Sequence, residues 1–137
     1  MKKKILIVSI LTFTIIYLSS FTSLSSKKDL LVGVWMLSDY ENGILKYVKT
    51  TNFKDKEPGI EFKSDRKMIK RQNSSNCGTP PIQYGNYKGF WKFTSDSTIL
   101  ISYDYRGYRK ELDWKIIKLN NKNLNVKAIG YRSNRIY

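Results

Sequence analysis

Catalytic machinery is built from few residue types, and this chain lacks most of them. The 137-residue sequence holds no histidine and a single cysteine, Cys77. Without histidine there is no ordinary partner to activate a serine or cysteine nucleophile, and the commonest metal ligand is missing. One thiol makes neither a cysteine-rich zinc site nor an internal disulfide. An idle or buried thiol is therefore the expectation for Cys77, with a bridge between chains as the alternative. No Gly-rich phosphate loop and no Gly-x-Ser-x-Gly element appears. The carboxylates are scattered. Asp39 with Glu41, and Asp55 with Glu57, lie in or beside turn segments, where solvated turns are expected rather than a calcium site. Glu111 and Asp113 alternate on one strand face and offset Arg109, Lys110 and Lys115. No cofactor, metal or catalysis is expected, and a hydrolase working on carboxylates alone is the weakest of three functional readings.

Recognition chemistry is better supplied. Tyr103-Asp104-Tyr105-Arg106-Gly107-Tyr108-Arg109-Lys110 places rings beside cations. Such arrangements hold sugars, bases or lipid head groups by stacking and cation–π attraction. Tyr84, Tyr87 and Phe90 form a second group next to Pro80-Pro81. If both segments lie at one mouth of the fold, Tyr84, Phe90, Tyr103, Tyr105 and Tyr108 are the expected ligand contacts. An ordinary tyrosine-rich hairpin tip has the same composition, so the pattern alone does not separate the two.

The elements that position these residues read as strands. After Lys28 no sustained helical stripe appears, and turn residues recur every 8 to 12 positions or so. Leu30–Leu37 opens the series. Asn42-Gly43 is a tight-turn signal followed by Ile44–Thr50. Ile60–Lys63 and Lys67–Arg71 flank the Ser64-Asp65-Arg66 turn. Gln72–Pro81 is the longest irregular stretch, and Ile82–Tyr84 resumes in extended form. Phe90–Phe93 and Thr98–Tyr103 make the clearest hairpin, with Trp91 and Phe93 on one face. Tyr108–Leu119 is long, and Ile117 breaks its phase, which predicts a bulge or the strand's end. Leu124, Val126 and Ala128 line the last strand. About eight strands joined by turns predict an all-β fold, an up-and-down antiparallel barrel whose closure removes aggregation-prone edges. An open sandwich is the alternative.

The N-terminus reads as an export signal. Lys2, Lys3 and Lys4 precede the apolar run Ile5–Leu18, and a small polar stretch runs from Ser19 to Ser26. That order is the three-part plan of a secretory leader, with cleavage expected near Ser26. An uncleaved anchor over residues 5–24 is the alternative, since that length just crosses about 30 Å of hydrocarbon. The division is thus a leader at 1–25 and one domain at 26–137. The formal charge is +14. An exported domain without its leader lysines keeps about +11. That field favours anionic membrane lipid or glycan over nucleic acid, which an exported protein seldom meets. Lysines on solvated strand faces explain much of it without a partner. A periplasmic or secreted monomer is expected.

Leu31-Val32-Gly33-Val34-Trp35, set just before the meandering strands, resembles the Gly-x-Trp signature of the lipocalin and wider calycin group. More closely, the chain is similar to the short lipocalin-like proteins that bacteria export. Ile60–Asp65, Cys77–Pro81 and Gly89-Phe90-Trp91-Lys92-Phe93 support the likeness, which covers about residues 30 to 130. The resemblance implies a barrel that binds a small apolar or amphiphilic ligand inside. It implies structural roles for Gly33 and Trp35, with a basic residue near the last strand stacked on the indole. Arg132 is the expected cation, ahead of Arg135 and Lys127. The chain departs from larger lipocalins in lacking their disulfide and a helix after the barrel.

Overall fold

The computed structural model describes residues 27–75 and 80–136. The leader expected at residues 1–25 and Cys77 lie outside the described residues. Eight antiparallel strands close into a barrel: β1 (Gly33–Glu41), β2 (Ile44–Thr50), β3 (Gly59–Phe62), β4 (Lys67–Asn73), β5 (Tyr84–Ser95), β6 (Thr98–Tyr105), β7 (Tyr108–Leu119) and β8 (Asn123–Arg135). Neighbouring strands run alternately up and down, in the order β1-β2-β8-β7-β6-β5-β4-β3.

One connection departs from nearest-neighbour pairing. β2 and β3 do not pair with each other; both flank β1, so the 51–58 segment crosses β1 to reach β3. From β3 to β8 each strand pairs with the next in sequence.

Local boundaries also differ from the sequence reading. Residues 27–31 form a helical turn, and the first strand begins at Gly33. The extended segment at Tyr84 and the Phe90–Phe93 run are one continuous strand, β5. Gly89 makes that continuity possible. A Cβ at Gly89 would lie 2.0 Å from the Ser102 carbonyl oxygen, so only glycine lets β5 and β6 approach so closely. The phase break at Ile117 is a register shift between Ile116 and Lys118, which turns Ile117 outward.

The barrel has two unlike ends. One end carries the start of β1, the 64–66 turn and the β5–β6 and β7–β8 turns. It is packed dry. Leu31, Trp35, Phe62, Met68, Trp91, Ile99 and Leu124 are essentially inaccessible. Phe62 meets Trp91 edge-on at 5.5 Å, and Trp91 meets Phe93 at 5.9 Å. These offset geometries suit the ring quadrupoles. The buried indole N–H groups of Trp35 and Trp91 donate to the Leu31 and Lys63 carbonyls, at 2.7 and 3.1 Å.

The other end is ragged. β2 pairs with β8 only as far as Lys127, whereas β7 follows β8 to Arg135. β4 to β8 therefore form a wall that continues past the β1–β2 hairpin. The β6–β7 turn sits at this end, as do Ser74 and Ser75 after β4 and Ile82 and Gln83 before β5. Arg106 joins them by donating to the carbonyls of Ser74, at 3.1 Å, and Ser75.

Candidate functional site

Strand alternation decides what faces the interior at the ragged end. In β4 the buried Met68 fixes the phase, so Lys70 and Gln72 point inward with it. Residues directly opposite each other across a ladder share a face. Lys70 lies opposite Ile60 and Tyr87, and Tyr131 lies opposite Leu112, which packs on the core. β2 contributes Tyr47, β6 contributes Tyr103 and Tyr105, and β7 contributes Trp114 and Lys110.

Lys70 is the centre of this group. Its Nζ donates to Tyr47 Oη at 3.2 Å. It sits 5.5 Å from the centroid of the Tyr47 ring and 5.3 Å from that of Trp114. Tyr47 and Trp114 are buried and tilted against each other at 5.9 Å. No carboxylate pairs with Lys70 among the described residues. Loss of hydration in this setting pushes the Lys70 ammonium down to about 8. Burial likewise raises the Tyr47 phenol, with a smaller contribution from Tyr103. Tyr103 is pushed up to about 12, by burial first and then by the Tyr131 and Tyr105 phenols.

The polar groups around Lys70 are mostly donors. Tyr103 Oη donates to Gln72 Oε1 at 3.1 Å, which occupies an acceptor nearby. Trp114 Nε1 is buried without a hydrogen-bond partner among the described residues. A buried donor left unpaired costs about 1–3 kcal/mol, so the arrangement favours an incoming acceptor. Further towards the rim, Lys110 Nζ donates to Tyr131 Oη at 2.8 Å and lies 5.5 Å from the Tyr105 ring. Tyr131 is exposed, and the Lys110 bond lowers its phenol below the ordinary tyrosine value. Tyr105 closes the wall by donating to the Asn73 carbonyl at 3.1 Å and meeting Tyr87 edge-on at 4.9 Å.

The five expected ligand contacts separate. Tyr103 and Tyr105 are on the inner face of the ragged end. Tyr108 is at the rim and 44% exposed. Phe90, one position out of phase with the buried Trp91, is on the outer wall. Tyr84 is also outside, in a shallow cleft of about 430 Å³ that it shares with Asp55, Lys56, Arg71 and Ile82. There the Arg71 guanidinium stacks between Phe53 and Tyr84, each centroid 5.9 Å away. Lys70, Tyr47 and Lys110 were not among the expected contacts. The signal that could have found Lys70 and Tyr47 was phase: Lys70 follows Met68 by two, and Tyr47 follows Leu45 by two.

The structural motif keeps its geometry but changes its cation. Gly33 has φ +134°, and a Cβ there would lie 2.6 Å from Lys49 Cε. Lys49 crosses this space to place Nζ 5.0 Å from the Trp35 ring centroid and to donate to the Leu30 carbonyl at 3.0 Å. Arg132 is not at the indole. It faces solvent and pairs with Glu111 and Asp113, at 3.1 and 2.9 Å. The bulge at Ile129 puts Arg132 on the outer face, opposite Glu111. The remaining carboxylates behave as surface charges. Asp39 and Glu41 both hold Lys46, and Asp104 holds Arg109 at 2.7 Å. No cluster of three metal-ligating side chains occurs among the described residues.

No protein-family model, curated protein or solved structure matches this chain.

Proposed function

We propose that this chain is an exported, lipocalin-like binding protein that holds a small amphiphilic molecule at the ragged end of its barrel. The observation that carries the reading is Lys70: an ammonium inside the barrel wall, against the rings of Tyr47 and Trp114, with no carboxylate paired to it among the described residues. A core built only for stability would fill this position with an apolar side chain, because an unpaired charge in such a place is costly. The core next to Lys70 is apolar, with Ile60, Ile101 and Val126 fully buried. An apolar core beside a polar rim suits a molecule with a tail and a head.

The lipocalin-like assignment is supported by the closed eight-stranded barrel and by the Gly33–Trp35 motif at its dry end. Export rests on the residue pattern at 1–25. The reading is of a binder rather than an enzyme, and it rests on the residue inventory. Titration with decanol and decanoate, followed by the fluorescence of Trp114 beside the site, tests it. A saturable change that is lost in Trp114→Phe is expected. No response to any single-chain amphiphile would overturn it.

A further inference from the structure

The geometry points to an anionic head group, carboxylate or phosphate, as the part of the ligand that Lys70 and Lys110 receive. This inference rests on the preceding reading that an amphiphile enters the ragged end, and it names the chemistry of the head.

The groups on the inner face of the ragged end supply positive charge and donors. β4 provides Lys70, β2 provides Tyr47, β6 provides Tyr103, and β7 provides Lys110 and Trp114. β8 provides Tyr131. Gln72 is engaged by Tyr103, and the carboxylates nearest in sequence are held elsewhere: Asp104 by Arg109, and Glu111 and Asp113 by Arg132 on the outer face. Lysine ammonium carries three donors. Lys70 spends one on Tyr47 and Lys110 one on Tyr131, in both cases on a neutral oxygen. A ligand oxygen with negative charge would turn these into charge-assisted bonds, which are roughly twice as strong as neutral ones. A neutral hydroxyl head would gain only ordinary hydrogen bonds and leave the Lys70 charge uncompensated. The same anion would restore the charged form of Lys70, whose ammonium burial otherwise disfavours. Binding should therefore be accompanied by proton uptake near pH 8.5.

The experiment compares decanoate, decyl phosphate, decanol and inorganic phosphate on the folded chain by calorimetry, in two buffers of different ionisation enthalpy. Decanoate or decyl phosphate binding at least about tenfold tighter than decanol, with proton uptake, is expected. Lys70→Gln should erase that preference and the uptake, and Lys70→Arg should keep the preference. Lys110→Gln gives a second test at the rim that does not touch the core, and it should weaken the two anionic amphiphiles more than decanol. Equal binding of decanol and decanoate would overturn the anionic head while leaving the amphiphile reading in place. An anion preference that survives both Lys70→Gln and Lys110→Gln would overturn the assignment to these lysines. Inorganic phosphate binding as tightly as decyl phosphate would instead remove the tail, and with it the amphiphile reading. No binding of any ten-carbon ligand would overturn both.

Discussion

Lys70 Nζ lies 3.2 Å from Tyr47 Oη, and that phenol is the one side-chain hydrogen-bond partner it has among the described residues. A lysine facing inward from a barrel wall without a carboxylate is a standing electrostatic cost. The proposed ligand head would offset that cost.

The cost predicts a pH dependence. Lys70 in the folded chain is pushed down to about 8, below the ordinary lysine value of the unfolded chain. Between those two values the unfolded state holds a proton that the folded state has released. Stability therefore rises with pH across that window and is flat below it. Tyr47 and Tyr103 act in the opposite direction, since their raised phenols reduce stability once tyrosines of the unfolded chain begin to ionise near pH 10. Urea denaturation from pH 7.5 to 9.5 should show an increasing midpoint. Lys70→Met should remove the rise and add about 1 kcal/mol at pH 7. A flat wild-type profile would mean that the ammonium is better solvated than its neighbours imply.

The Trp35 end predicts a contrast between two cations. Lys49→Met should cost about 1 kcal/mol, because it removes the cation over the indole and the bond to the Leu30 carbonyl. Arg132→Ala should cost less than Lys49→Met, since its pairs are exposed on the outer wall. Trp35→Ala should exceed both, at about 3–5 kcal/mol. Chemical denaturation of the three variants gives the order directly. A larger loss from Arg132→Ala than from Lys49→Met would contradict the placement of the cation.

Gly89 and Gly107 predict different kinds of strain. Gly89→Ala drives a methyl against the Ser102 carbonyl and should cost about 3 kcal/mol or more by forcing β5 from β6. Gly107→Ala meets no atom within 4 Å but must hold φ +78°, which costs about 1–2 kcal/mol. Thermal denaturation should place Gly89→Ala well below Gly107→Ala.

Much of the barrel was legible because strand phase and turn chemistry are local. Asn42-Gly43 set the β1–β2 hairpin, and alternation in β5, β6 and β7 gave the buried faces of Trp91, Ile101 and Trp114. The crossing of β1 by the 51–58 segment was not legible, since it depends on which edges pair after the strands form. The helical turn at 27–31 was hidden because Leu31 reads equally well as the start of a strand. The site was the least legible part. Lysine is normally placed outward on a strand, yet the phase of Met68 obliges Lys70 to face in. Nearness to the last strand points Arg132 at the indole, but the bulge at Ile129 decides which face it takes.

Head-group capture by Lys70 is tested by following the ionisation of its ammonium by NMR in the free chain and in the chain saturated with decanoate. A midpoint near 8 in the free chain and a clear upward displacement with the anion bound are expected. A midpoint that does not move on saturation would rule the capture out.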